Sequence, residues 1–460
     1  MVGDKNMCLD SLREKPVERA YLCIDLKCFY ASVECVDRGY DPFERRLVVA
    51  DPTRGPKTIC LAISPAMKAL GVRNRCRVFE IPDTIDYEMA PPRMRRYMEV
   101  SADIYSLYLR YFSPEDIHVY SVDECFIDVA PYLTLYRKTP RELAVDLVEL
   151  VRRETGICAT AGVGTNLFLA KVALDVTAKH APDNIGELTE ETFKCKIWPH
   201  RPITDIWGIG PGIARRLERL GARTLGEVAL LPEQALYDEF GINAELLVDH
   251  AWGIEPCTMA EIHAYRPKAH SLASGQVLAC DYTFDEARVV LQEMVDGIVL
   301  DLVEKGLASG HVSLYVGYAH ERRGWDEEDE ALGSRTFTGE HGTRVLGREA
   351  PHAAVSRKLE QTTNSRALLS RRFLALYDEV VDPNRAIRRV NIGVGALVPE
   401  EFAGLTLFTD VEAEAAERRL ARTTIAVKRR FGKNALLRGT SFKPKATARE
   451  RNEQVGGHHE

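Results

Sequence analysis

The chain has 460 residues, more than one hydrophobic core serves, and so suits three or four domains. With 45% hydrophobic and 28% charged residues it reads as an ordinary globular chain; it has no apolar run of about 18 residues to span a membrane and no apolar stretch near its start to act as a secretory signal. The net charge of −7 does not exclude a nucleic-acid partner, because between residues 418 and 451 twelve Lys/Arg stand against one acid, Glu450.

Residues 20–26 read as a short buried strand, apolar apart from Asp25. Residues 93–112 follow, with Tyr97, Ile104, Tyr108 and Tyr111 at helical spacing. In 118–128 two apolar runs flank Ser121-Val122-Asp123-Glu124, the pattern of a hairpin with acids at or near its turn. Thr139-Pro140-Arg141-Glu142 is a capping box with proline at the first helical position, and Leu143, Leu147 and Val151 mark the buried stripe. Strand, helix, hairpin, helix predicts an α+β sheet with helices on one face.

A second unit begins near Ala181; its signal is Ile206-Trp207-Gly208-Ile209-Gly210-Pro211-Gly212, then a basic helix stopped at Gly221. A third, from 265 to 399, reads as strand 271–281, helix 285–305, strand 312–318, a weaker strand 336–345, helix 366–380 and strand 390–394, a ferredoxin-like βαββαβ order. Residues 321–330 read as an acidic loop, and the chain beyond Asp410 reads as helical, then irregular and basic. The eleven cysteines, an odd number without a Cys-x-x-Cys pair, fit reduced thiols in a cytoplasm better than disulfides or zinc.

An unpaired carboxylate on a buried strand is costly, and two adjacent acids at a turn repel unless a cation compensates them. Asp25, Asp123 and Glu124 brought together from neighbouring strands suit hard divalent ions and phosphoryl transfer. A strand-end cap and a solvated acidic turn account for the same three residues more readily when they are read alone, since acid pairs are common.

Their surroundings carry more. Asp25-Leu26-Lys27-Cys28-Phe29-Tyr30-Ala31-Ser32-Val33-Glu34 resembles the opening motif of the Y-family DNA polymerases, a metal aspartate followed by Phe-Tyr-Ala-Ser-Val-Glu. Tyr120-Ser121-Val122-Asp123-Glu124-Cys125-Phe126-Ile127-Asp128 is similar to the family's second motif, built on Ser-Val-Asp-Glu. Ala161-Gly162-Val163-Gly164-Thr165-Asn166 through Ala170-Lys171 is similar to the third. Leu61-Ala62-Ile63-Ser64-Pro65-Ala66-Met67-Lys68 and the end, with Arg438-Gly439-Thr440, Arg449-Glu450-Arg451-Asn452 and Gly456-Gly457-His458, resemble the UmuC-like (ImpB/MucB/SamB) branch and its Gram-positive members.

The resemblance implies a right-hand polymerase: an N-terminal extension (1–19), a ferredoxin-like palm (20–28 and 95–180), small fingers (29–94), a helical thumb with a helix-hairpin-helix (181–260), a βαββαβ little finger (265–400) and a basic C-terminal part (401–460). It implies Asp25, Asp123 and Glu124, helped by the Leu26 carbonyl, as ligands of two Mg2+ ions, with Mn2+ as a substitute. Phe29 would pack on the incoming sugar, Tyr30 would exclude a 2′-hydroxyl, Cys28 and Phe29 amides would hold triphosphate oxygens, and Ile59 would roof the nascent base pair. Lys171, opening a helix, and Lys68 would meet the triphosphate. Lys68 stands where much of the family has arginine, and Pro65 where it has tyrosine, so charge remains without a bidentate grip.

Gly208 and Gly210 would let backbone amides approach a DNA phosphate, with Arg215, Arg216 and Arg219 on the next helix. Arg385, Arg388 and Arg389 are candidate backbone contacts of the little finger. Gly404-Leu405-Thr406-Leu407-Phe408 resembles a sliding-clamp docking pentapeptide without its leading glutamine, so Leu405, Leu407 and Phe408 either fill a clamp pocket or pack on their own domain. The implied activity is low-fidelity, template-directed DNA synthesis across damaged bases, with primer-template DNA and dNTPs as substrates, accessory SOS proteins as partners, a cytoplasmic location and no membrane. Two rivals stand beside it: a nucleotide cyclase, which lacks the thumb hairpin and the gate aromatic, and a non-catalytic DNA-binding regulatory homologue that keeps the fold.

Overall fold

The computed structural model describes residues 19–266, 271–319, 351–404 and 410–455, together with the strand pair 336–337 and 344–345. Two compact units divide between Arg266 and Pro267. In chain order the strands of the first are β1 (Tyr21–Leu26), β2 (Leu47–Val49), β3 (Ala62–Ile63), β4 (Glu88–Ala90), β5 (Ile117–Val119), β6 (Glu124–Asp128), β7 (Ala159–Gly164) and β8 (Ile185–Leu188).

The main sheet runs β5-β6-β1-β7-β8, with β1 antiparallel to both neighbours and β7 parallel to β8. Its first four strands have the lateral order of a ferredoxin-like sheet. Alternation along β1 sorts its side chains between two faces. Leu22, Ile24 and Leu26 join the core built by helices Met94–Tyr108 and Pro140–Thr155, through Tyr97, Ile104, Leu143, Leu147 and Val151. Tyr21 and Cys23 face the other way, against Leu167, Ala170 and Leu174.

That second cover is thin because β7 is glycine-rich. A Cβ on Gly162 or Gly164 would run into the backbone at Ala170, so the segment after β7 lies directly on the strand. Helix Pro140–Thr155 begins at the Thr139–Glu142 capping box and ends at Gly156 in the left-handed region, as its sequence predicts. Between β1 and helix Met94–Tyr108 the chain makes the three-stranded sheet β3-β2-β4, with its own small core of Val48, Cys60, Ile63 and Met67. Residues beyond Thr189 in this unit form short helices.

The second unit holds β9 (Ser271–Tyr282), β10 (Leu307–Tyr318), β11 (Thr336–Phe337), β12 (Arg344–Val345), β13 (His352–Thr363) and β14 (Ile387–Pro399). Helices Phe284–Glu304 and Arg366–Val380 complete the expected βαββαβ order. Two features differ from expectation. The third strand of the sheet is His352–Thr363, while the described residues within 336–345 form the separate pair β11–β12. β13 is an edge strand, mostly exposed, so its sequence lacks a clean apolar alternation. The lateral order β13-β10-β14-β9 also departs from the ferredoxin-like one, because the last strand lies between the first and second.

Residues 410–455 of the basic C-terminal part are docked on this unit. Helix Val411–Phe431 packs along Phe284–Glu304, with Arg429 on Glu304 (2.5 Å) and Arg418 on Glu400 (3.2 Å). The buried Glu293 accepts hydrogen bonds from the Thr447 and Ala448 amides at 2.8 and 3.1 Å.

Candidate active site

Asp25 is the penultimate residue of β1 and extends the face of Tyr21 and Cys23 past its cover. Its register partner on β6 is Glu124, the first residue of that strand, and Asp123 precedes it in the turn. The Leu26 amide donates to the Asp123 carbonyl at 2.9 Å, which ties the turn to the strand end. Ser121 Oγ donates to Asp123 Oδ1 at 2.6 Å. Burial, then the charges of Asp123 and Glu124, push the Asp25 carboxyl up to about 7, against the pull of Lys171. Negative charge is thus in excess here, and the donors are carboxylate oxygens. That set fits a hard divalent cation, which would reverse the repulsion that raises Asp25.

The three acids are close without forming one tight cluster. Among the described residues no three His, Cys, Asp or Glu side chains converge on a common ion position. Glu124 turns instead to Lys171, whose Nζ lies 2.6 Å from Oε1, and accepts from the Cys23 thiol at 3.2 Å. Burial and the Glu124 charge push that thiol well up, so it stays protonated. Lys171 is 7% exposed and also pairs with Asp175 at 3.1 Å. Burial lowers its proton affinity, but the Glu124 and Asp175 carboxylates more than reverse this.

Lys171 does not open a helix. Asn166 caps Leu167–Val172, accepting from the Leu169 amide at 2.8 Å, and Lys171 sits in the last turn. Its charge therefore meets the acids and does not reinforce a helix N-terminus. Cys23 and Asp175 were missed as neighbours of the acids. The i, i+2 relation of Cys23 to Asp25 and the i, i+4 relation of Asp175 to Lys171 were the available signals.

Cys28 adopts φ 49°, ψ 41°, left-handed for a non-glycine residue, and turns the chain from β1 into helix Phe29–Asp37. Phe29 corrects an expectation: it is 2% exposed within the core of the first unit and offers almost no surface for a sugar to pack on. Tyr30 is half-buried, its ring stacked on Tyr97 with centroids 4.4 Å apart and planes 11° apart. Lys68 is exposed on the short helix Pro65–Ala69; burial pushes the Cys28 thiol up, and the Lys68 charge only partly opposes this. Ile59, 47% exposed, bridges to Arg77.

Farther along the unit, Gly208 (φ 86°) and Gly210 are exposed around the buried Ile209, with no atom near where a Cβ would stand. Helix Pro211–Arg219 follows, but only the 3-10 turn Ile203–Asp205 immediately precedes the hairpin. Arg216 and Arg219 pair with Glu239 at 2.7 and 2.8 Å, and Arg216 also covers the Phe240 ring, whereas Arg215 is exposed. In the second unit Arg388 leans to Asp281 (3.6 Å) and Arg385 to the Tyr318 ring. Arg389 is exposed, on the strand face it shares with Asn391 and Gly393. Leu405, Leu407 and Phe408 lie outside the described residues.

The impB/mucB/samB family model matches residues 24–175, and the model of that family's C-terminal domain matches 269–407. A Bacillus subtilis protein whose name, UvrX, assigns it to UV-damage repair is 30% identical over 440 residues, covering 95% of this chain and 97% of its own. The DNA polymerase IV 2 of Bacillus subtilis is 29% identical over 451 residues, 96% and 99% of the two chains. A solved Y-family DNA polymerase chimera of Dbh and Dpo4 shares the fold, with a TM-score of 0.58 at 19% identity over 82% of this chain and 99% of that one. The motifs around Asp25 and Asp123-Glu124, the sheet that makes them neighbours and the matches along nearly the whole chain agree: the protein belongs to the impB/mucB/samB family, the UmuC-like branch of the Y-family DNA polymerases, with relatives in Gram-positive bacteria.

Proposed function

We propose that the protein is a template-directed, low-fidelity DNA polymerase that adds dNTPs to a primer 3′ end and continues across damaged template bases. The observation that carries this reading is the register pairing of Asp25 with Glu124 beside Asp123, in a family of polymerases. Asp25, Asp123 and Glu124 would hold two Mg2+ ions, with Mn2+ as a substitute and the Leu26 carbonyl in support. When bound, the ions supply Lewis-acid stabilisation of the attacking 3′-oxygen and the departing pyrophosphate.

The rest is positioning by the chain itself. Tyr30 stands where its ring would exclude a ribose 2′-hydroxyl. The Cys28 and Phe29 backbone amides and the exposed Lys68 serve the triphosphate, and Lys171 balances the acids from beneath. Gly208, Gly210 and Arg215 grip template-primer phosphates without reading sequence, and Arg389, with Arg388 behind it, does the same from the second unit. The five parts follow as palm (20–28 and 95–180), fingers (29–94), thumb (181–260), little finger (265–400) and docked C-terminal part. Leu405, Leu407 and Phe408 serve a sliding clamp, and accessory SOS proteins join at the cytoplasmic chromosome. No helix among the described residues is long and apolar enough to cross a membrane.

One observation favours a second reading, a non-catalytic DNA-binding homologue: the Lys171–Glu124 ion pair neutralises one acid with the chain's own cation. Running-start primer extension with Mg2+, on an undamaged template and on one with an abasic site, separates the readings. The polymerase reading expects extension past both. A stop at the abasic site alone removes the lesion tolerance, and no extension on either template supports the second reading.

A further inference from the structure

The helix that carries Tyr30 also carries Glu34, which is 0% exposed. A buried carboxylate persists only when paired and hydrogen-bonded, and this one is. Arg93 grips it bidentately, Nε to Oε1 at 2.9 Å and Nη2 to Oε2 at 3.0 Å, and Arg38 closes on it from the same helix. The Tyr97 hydroxyl donates to Oε1 at 2.7 Å. One turn on, Asp37 takes Arg93 at 2.7 Å and Arg96 through both oxygens at 3.0 Å. Helix Phe29–Asp37 is thereby bolted to the first turns of Met94–Tyr108.

Tyr97 is the point where this bolt meets the gate. It is 0% exposed, its hydroxyl is fixed by Glu34, and its ring lies against Tyr30 at 4.4 Å and 11°. The Tyr30 hydroxyl has no hydrogen-bond partner among the described residues, so packing locates its ring, the stack on Tyr97 lying closer than the tilted contact with Phe29 at 5.8 Å. Exclusion of a single hydroxyl needs a wall held within a fraction of an ångström; a ring that yields admits the larger sugar.

We propose that Tyr97, anchored by Glu34 and Arg93, is a positioning residue that sets the Tyr30 ring and thereby the selection of deoxyribonucleotides over ribonucleotides. The proposal rests on the reading of Tyr30 as the sugar gate. It goes beyond that reading by placing part of sugar selection in a residue buried behind the gate.

The test is single-nucleotide incorporation of dCTP and rCTP opposite template dG by the full chain, with kcat and KM measured separately. Tyr97→Leu removes the stack and is expected to lower the ratio of kcat/KM values, dCTP over rCTP, by about tenfold or more, mainly through a lower KM for rCTP. Its dCTP kcat/KM should stay within about threefold of wild type. Tyr97→Phe keeps the ring but drops the hydroxyl's bond to Glu34, so it should lose far less selection than Tyr97→Leu and stay within about threefold of wild type. Circular dichroism melting identifies folded variants, and Tyr97→Met supplies the same comparison if the leucine protein does not fold.

Tyr30→Ala is the control, and selection should collapse in it. If it collapses there while Tyr97→Leu or Tyr97→Met keeps the wild-type ratio, the positioning role is overturned and the gate stands. Equal losses for dCTP and rCTP on changing Tyr97 also overturn it, showing core support alone. If Tyr30→Ala itself leaves the ratio unchanged, the gate reading fails and the proposal falls with it.

Discussion

Asp25 and Glu124 are register partners on adjacent antiparallel strands, and Lys171 rather than Asp25 is the nearest neighbour of the Glu124 carboxylate. The pairing of strands brings two negative charges together, and the ammonium keeps the pair tolerable. Lys171 is therefore a counter-ion of the acids as much as a candidate phosphate contact.

Lys171→Met should lower stability by about 3 kcal/mol, because the Glu124 charge is then left poorly compensated beneath the strand. A divalent cation among the acids would restore that compensation. Thermal melts with and without Mg2+ should show a larger metal-induced rise in Tm for the variant than for wild type. Equal rises in the two proteins would mean that the ammonium and the cation do not share these acids.

Asp37 gives a dependence on acidity remote from the carboxylate site. Hydrogen bonds from Arg96 and Arg93 hold its carboxyl below the usual range, in spite of partial burial. A lowered folded value adds stability that is complete above the unfolded value, about 3.9, and is lost as pH falls through the folded one. Half-exposed arginines limit the effect to less than about 1 kcal/mol. Urea midpoints followed downward from pH 5 should fall less steeply for Arg96→Gln than for wild type; parallel curves would remove Asp37 from the account.

Gly210 and Gly208 separate phosphate approach from backbone strain. Gly210 has φ −80° and open space where a Cβ would stand, so Gly210→Ala loses only the N-cap preference for glycine, less than about 1 kcal/mol. If a phosphate comes close to its amide, the variant binds a primer-template duplex several-fold more weakly in fluorescence anisotropy. Gly208→Ala, at φ 86°, should in addition cost about 1–2 kcal/mol of stability. Unchanged DNA affinity in Gly210→Ala would take the hairpin out of the DNA interface.

Much of the site was legible because it is local. The acids lie on short segments whose motifs place them at a strand end and a turn. What stayed hidden depends on distant partners. Glu34 lies within the opening motif, but its partners Arg93 and Tyr97 are 59 and 63 residues away, across the excursion that forms β2, β3 and β4. Phe29 sits beside Tyr30 in sequence, yet the helix buries the first in the core and leaves the second half-buried on the Tyr97 ring, a difference that adjacency does not encode. The edge strand β13 escaped because half-exposed strands carry little apolar periodicity. The docking of residues 411–455 was masked by their charge, although one buried acid, Glu293, receives two of their amides.

The central claim is that Asp25, Asp123 and Glu124 act as one catalytic unit. Single-turnover incorporation of a correct dNTP with Mg2+ tests it most directly, using Asp25→Ala, Asp123→Ala and the double variant after each is shown to be folded. Groups that act as a unit are not additive, so each single change should cost at least about a thousandfold in rate and the double change little more. Incorporation at the wild-type rate by either single variant would contradict the account.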